Sequence, residues 1–89
     1  MSQVAHTLVA TREFASSFSE LWIRSPKVCN AMDKIEKFLE ADPYAGMLVS
    51  SKEIPNLYAI KDNAYVVMYM INDPDRTVRI LAIREHSAE

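Results

Sequence analysis

Seven consecutive residues, Tyr65-Val66-Val67-Met68-Tyr69-Met70-Ile71, carry no charge and present apolar bodies on both sides of an extended chain. Read with a period of two, Tyr65, Val67, Tyr69 and Ile71 share one face, and Val66, Met68 and Met70 share the other. Such a strand belongs in the middle of a sheet, doubly covered. One face takes the chain's helices; the other is covered too, or stays open as a binding surface. Two flanking runs, LYAIK (57–61) and TVRILAI (77–83), are rich in β-branched and aromatic residues. Asp62-Asn63 marks a tight turn before the central run, and Asn72-Asp73-Pro74-Asp75-Arg76 a longer one after it. The three strands form a meander.

The first half of the chain has a different period. Residues 4–9 suit a short strand. Thr11 then offers an N-cap oxygen and Glu13 a negative charge in the first turn of a helix over 12–23. Phe14, Phe18, Leu21 and Trp22 recur on its apolar face, while Ser16, Ser17, Ser19 and Glu20 face water. Ser25 as N-cap and Pro26 at the first helical position predict a second helix, ended by Asp42-Pro43. Val28, Met32, Ile35 and Leu39 form its stripe with Phe38 beside it; Asp33, Lys34, Glu36, Lys37 and Glu40 are solvated. Asp33–Lys37 is an attractive pair at one-turn spacing, and Glu36–Glu40 a repulsive one. With almost no linker, the helices make an antiparallel hairpin. Residues 41–53, with Pro43, Gly46, Ser50 and Ser51, read as loop. The expectation is an α+β domain over 1–89: a short N-terminal strand and a helical hairpin packed on one face of a small, mainly antiparallel sheet.

Composition narrows the chemistry. Ten basic and twelve acidic residues give a net charge of -2, which does not suit binding to bulk nucleic acid or anionic membrane. No apolar run approaches the roughly 20 residues of a membrane span, and no signal peptide is visible. A lone Cys29 rules out an intrachain disulfide framework and fits the reducing cytoplasm. His6 and His86 stand at opposite ends, without metal-ligand spacing, so no metal is expected. Gly46 is the only glycine, which removes every glycine-rich phosphate loop; no cofactor is expected.

The sheet half, IPNLYAIKDNAYVVMYMINDPDRTVRILAIREH, resembles the RelE/ParE toxin superfamily. The shared pattern is Leu57-Tyr58-x-Ile60-Lys61, a turn, an aromatic-led strand with Tyr69-x-Ile71, an acidic turn, and a last strand ending Arg84-x-His86. The resemblance extends over residues 4–86. It implies a bacterial toxin held inactive by an antitoxin encoded beside it, in a system of the plasmid-stabilization kind. The RelE branch cuts messenger RNA on the ribosome without a metal; the ParE branch poisons DNA gyrase.

Residue by residue, the resemblance implies a partial site. Lys61 matches the second lysine of the family's Leu-Tyr-Lys-Ile-Lys run, whose first lysine is Ala59 here. Val66 replaces the arginine that usually follows the aromatic at Tyr65. Arg84 and His86 match the terminal Arg-x-His of YoeB-like members, and Glu53 stands near the family's acidic position. As an endoribonuclease, Lys61 and Arg84 hold the scissile phosphate and His86 protonates the leaving oxygen. The alternative is a noncatalytic binding protein: a ParE-like gyrase inhibitor or a degenerate toxin homologue. The implied partners are a cognate antitoxin, then ribosome and mRNA or gyrase, with a homodimer or a toxin–antitoxin hetero-oligomer as the assembly.

Each of these residues also has a plainer role. His86 is three residues from the C-terminal residue of the sequence, Lys61 is a strand-end charge that blunts an edge, and Arg84 is a partner for a carboxylate. Tyr58 and Tyr65 either stack on a base or pack a sheet face with the hydroxyl at the rim. Met68 and Met70 read as core filler. Residues 54–89 carry four cations (Lys61, Arg76, Arg79, Arg84) and five acids (Asp62, Asp73, Asp75, Glu85, Glu89), so this half has no excess positive charge for RNA.

Overall fold

A computed structural model describes residues 6–49, 55–62, 64–72 and 74–85. The order is β1 (Thr7–Ala10), α1 (Arg12–Arg24), α2 (Val28–Ala41), a 3-10 turn (Pro43–Ala45), β2 (Met47–Leu48), β3 (Leu57–Asp62), β4 (Tyr65–Asn72) and β5 (Thr77–Glu85). The sheet runs β1-β5-β4-β3-β2, with β1 parallel to β5 and every other pairing antiparallel. The meander is therefore as the alternation dictates, with the apolar run of β4 at its centre. The region read as loop holds more: Asp42 caps the 3-10 turn by accepting from Tyr44 N, and Met47–Leu48 adds a fifth strand beside β3. Two residues are too few for a period-two pattern to be legible.

The helices pack on one face, α1 chiefly against β5 and α2 against β1, β3 and β4. Phe14, Leu21, Val28, Met32, Ile35 and Leu39 meet Tyr65, Val67, Tyr69, Ile71, Val78, Ile80 and Ile83 in one core. Trp22 and Phe38 depart from the predicted stripes, at 55% and 48% exposed. Each stands one position from a buried leucine, Leu21 and Leu39, and a helix advances about 100° per residue, so the neighbour rotates off the sheet.

Two polar assignments are corrected. Ser25 does not cap α2: its hydroxyl lies 2.6 Å from Tyr65 Oη. The chain instead makes a turn at Pro26-Lys27, with Val28 N donating to Ser25 O at 3.0 Å, and α2 begins at Val28 rather than Pro26. Ser17 is not on a wet face. β1 stops at Ala10, leaving the outer edge of β5 without a paired strand beyond Ile80. Hydroxyls of the α1 segment take over: Thr11 Oγ1 donates to Ile80 O at 2.8 Å and Ser17 Oγ accepts from Ile83 N at 3.2 Å. Buried backbone groups need such partners, and this pair ties helix to sheet. Thr11 does cap α1 as predicted, accepting from Phe14 N. On α2, burial and then the charges of Asp33 and Glu40 push the Glu36 carboxyl above its usual range, the repulsion its spacing predicts.

Tyr69 is wholly buried and donates from its hydroxyl to Pro43 O at 2.6 Å. Burial pushes its pKa up from 10.0 to about 12, partly offset by the Gly46 backbone N–H. The unfolded chain then loses this proton first, so the folded state loses stability as pH rises from 10.0 towards about 12. Denaturant midpoints should fall across that window in the wild type and fall less in Tyr69→Phe; identical pH profiles for the two would contradict it.

Candidate functional site

The cover is one-sided. Along β4, Tyr65, Val67, Tyr69 and Ile71 are buried under the helices, whereas Val66, Met68 and Met70 on the reverse are only half-buried. The central strand is thus not doubly covered by the described elements. Met68 and Met70 are not core filler, because the two helices of a chain this short lie on the same side.

Strand register places the charges of this open face. Val66 pairs with Lys61 on β3 and with Arg84 on β5. Directly paired residues share a face, so the two cations flank Val66 at two strand spacings, about 10 Å between backbones. Both are exposed, and neither has an ion-pair partner among the described residues. Asp62 falls opposite Tyr65, on the other face, and does not neutralise Lys61. Glu85 also pairs with Tyr65, and its carboxylate meets Arg24 at 3.3 Å. The sequence-predicted pair Lys61 and Arg84 is therefore brought together; His86 and Glu53 lie outside the described residues. Ala59, opposite Met68, shares this face with Val66. Ala59 and Val66 stand at the two positions where the resemblance implied cations, so the centre of this face is apolar.

A third cation, Arg79, joins the face unannounced. Arg79 and Arg84 are five residues apart, which in a regular strand means opposite faces. Met68 pairs with Ala82 while the next residue, Tyr69, pairs with Ile80, so Leu81 is an extra residue in a β-bulge. The bulge resets the alternation: Arg79 pairs with Met70 and Arg84 with Val66, both on the open side. The inward set Val78, Ile80 and Ile83, spaced two and then three, is the sequence signal that could have shown it.

Tyr65 and Tyr58 take the plainer of their two readings. Tyr65 is buried with its hydroxyl on Ser25, and Tyr58 stacks on Tyr69 with ring centroids 5.7 Å apart. The open face can hold a phosphate or carboxylate between Lys61 and Arg84 and an apolar group on Val66 and Met68. Among the described residues no helix is long and apolar enough to cross a membrane, and no cluster of acidic, His or Cys side chains could hold a metal.

No protein-family model and no curated protein matches the sequence. Solved structures do. The toxin–antitoxin complex RelBE2 from Mycobacterium tuberculosis contains a chain that superposes with a TM-score of 0.79 at 21% identity, over 94% of this chain and 100% of that one. The isolated E. coli RelE toxin superposes with a TM-score of 0.71 at 19% identity, over 96% and 88%. The chain has the RelE-like α+β toxin fold.

Proposed function

We propose that this chain is the toxin half of a bacterial toxin–antitoxin pair, and that its open sheet face is the working surface. The observation that carries this is Lys61 and Arg84, which have no ion-pair partner among the described residues, on either side of Val66 on the face of a RelE-like sheet that the described helices leave uncovered. Both similar structures are of RelE-type toxins, and one is a complex with an antitoxin. An antitoxin segment with carboxylates at one end and apolar residues beyond fits Lys61 and Arg84, then Val66 and Met68.

In the endoribonuclease form of this reading, Lys61 and Arg84 bind the scissile phosphate of a message held on the ribosome. As the ribose 2′ hydroxyl loses its proton to water and its oxygen attacks phosphorus, a 2′,3′-cyclic phosphate forms, the P–O5′ bond breaks, and His86, five residues after Leu81, protonates the leaving 5′ oxygen. A specific observation favours the noncatalytic form beside it: Val66, between the two cations, supplies no charge where a cleaved phosphate needs it most. That form acts by binding, on gyrase or on the antitoxin alone.

Induced expression in a bacterium tests the common reading. Growth should arrest, and co-expression of the small protein encoded next to the gene should relieve the arrest. Lys61→Gln with Arg84→Gln should weaken antitoxin binding about tenfold or more, with the thermal midpoint unchanged. A neighbouring protein that neither binds nor relieves arrest sinks the toxin reading. Translating ribosomes with a defined message, and a supercoiling assay, separate its forms. Cleavage that persists in His86→Ala removes the acid role.

A further inference from the structure

The outer side of α1 ends in two bulky apolar side chains, Trp22 and Ile23, where a solvent-facing helix normally carries charge. Phe14 and Leu21 fix the inner side, since both are buried in the core. With about 100° of turn per residue, Ala15, Ser16, Ser19, Trp22 and Ile23 share the side away from the sheet. All five are exposed, and Ile23, at 81%, is the most exposed large apolar side chain among the described residues. Glu13, Glu20 and Arg24 gather on one flank of this stripe, and Arg12 stands at its N-terminal end. From Ala15 to Ile23 the stripe itself is uncharged. A single exposed apolar residue needs no explanation, but a Trp and an Ile side by side on a helix already buried on its other face mark a contact surface.

The order of side chains along the stripe identifies what covers it. Small residues come first and bulky ones last. A complementary helix must run the opposite way and be small where this one is bulky. A second copy of α1 meets both conditions. Antiparallel about a two-fold axis at Ser19, Trp22 meets Ser16 of the other copy and Ile23 meets Ala15, and each contact is made twice. Ser19 on the axis lets the helices approach to about 8 Å, the near end of helix packing distances.

Charge favours the ends of this contact. Arg24 falls beside Glu13 of the other copy, and its guanidinium has donors to spare beyond the 3.3 Å contact with Glu85 of its own chain. Two contacts oppose it: Glu20 meets its own mate, and Arg12 overlies the Pro26-Lys27 turn. Both involve exposed charges that salt screens. The stripe is about 12 Å long, so the contact falls short of the roughly 800 Å² per partner of a standard interface. The pairing is therefore reversible, with a dissociation constant on the order of 10–100 µM.

We propose that two copies of this chain associate through α1, packed antiparallel about Ser19, with Trp22 and Ile23 of each copy seated over Ser16 and Ala15 of the other. The contact lies on the helical side of the molecule and leaves the face bearing Lys61 and Arg84 open. It does not rest on the toxin reading, and its test needs neither antitoxin nor ribosome.

The test is sedimentation equilibrium of the free full chain from about 1 µM to about 1 mM, bracketing the expected constant. Fluorescence is read on the same samples, because Trp22 is the only tryptophan. The mass should pass from monomer to dimer, and the emission should shift to the blue in step with it. Ile23→Lys should weaken dimerisation about tenfold or more, with an unchanged thermal midpoint in dilute solution, where only monomer is present. Glu20→Gln should strengthen it about twofold by removing a repulsion. In a Cys29→Ser background, mild oxidation should cross-link Ser19→Cys between copies and leave Lys37→Cys, on α2, monomeric. A chain that stays monomeric to about 1 mM overturns the proposal, even if Trp22 becomes shielded on adding the product of the adjacent gene. So does a dimer that survives Ile23→Lys, or one that forms without a shift in Trp22 emission.

Discussion

Gly46→Ala should destabilise the fold by about 3 kcal/mol, at the upper end of what overpacking a core costs. Gly46 has an ordinary extended backbone, φ -74° and ψ 179°, so its requirement is for space and not for a left-handed conformation. A Cβ there would overlap Tyr69 Oη and stand 2.9 Å from the Ala59 carbonyl oxygen. Neither moves freely. The tyrosine hydroxyl is held by Pro43 O in the core, and the carbonyl belongs to β3. Tyr69→Phe should cost about 1–2 kcal/mol alone, since it strands a buried carbonyl. In that background the alanine should cost at least about 1 kcal/mol less, because the overlapping atom is gone. Denaturant melts of the four proteins measure this; strictly additive costs would show that Gly46 and Tyr69 are not in contact.

The second large effect separates two adjacent residues. Leu39→Ala should cost about 3–4 kcal/mol, because Leu39 is fully buried and its removal leaves a cavity between α2 and the sheet. Phe38→Ala should cost less than about 1 kcal/mol, since its ring is 48% exposed. For a domain of this size the first corresponds to a fall of roughly 12–30 °C in thermal midpoint and the second to a few degrees. Equal losses would mean that α2 is rotated from the orientation described. An apolar residue's neighbours along the sequence do not decide its fate; its angle about the helix axis does.

That contrast also marks how far the sequence reading reached. The runs 57–61, 65–71 and 77–83 each appear as strands within a residue or two, and both helices form where the apolar spacing puts them. Lys61 and Arg84 were legible as a pair only through their resemblance to a family pattern. Arg79 was missed, because a simple period of two sends it to the wrong side of β5 and only the uneven spacing of Val78, Ile80 and Ile83 signals the bulge. β2 was hidden in a stretch with loop composition, since two residues acquire strand geometry only from the neighbour they pair with. Ser17 and Ser25 looked solvated because nothing local shows that a strand edge or a tyrosine hydroxyl stands opposite.

By itself, the sequence determined the elements, their order and the apolar centre of the sheet. These follow from periodicity and turn chemistry, which act over a few residues and are written in them. Only the tertiary structure decided that the reverse face is left half-buried by the described elements, that the bulge at Leu81 turns Arg79 to the same side as Arg84 and Lys61, and that a cleft opens where β3 falls short of β4. Those outcomes depend on which residues meet across strands tens of positions apart. Register and bulges are set by the packing of the whole sheet, and a local pattern carries at most a faint trace of them.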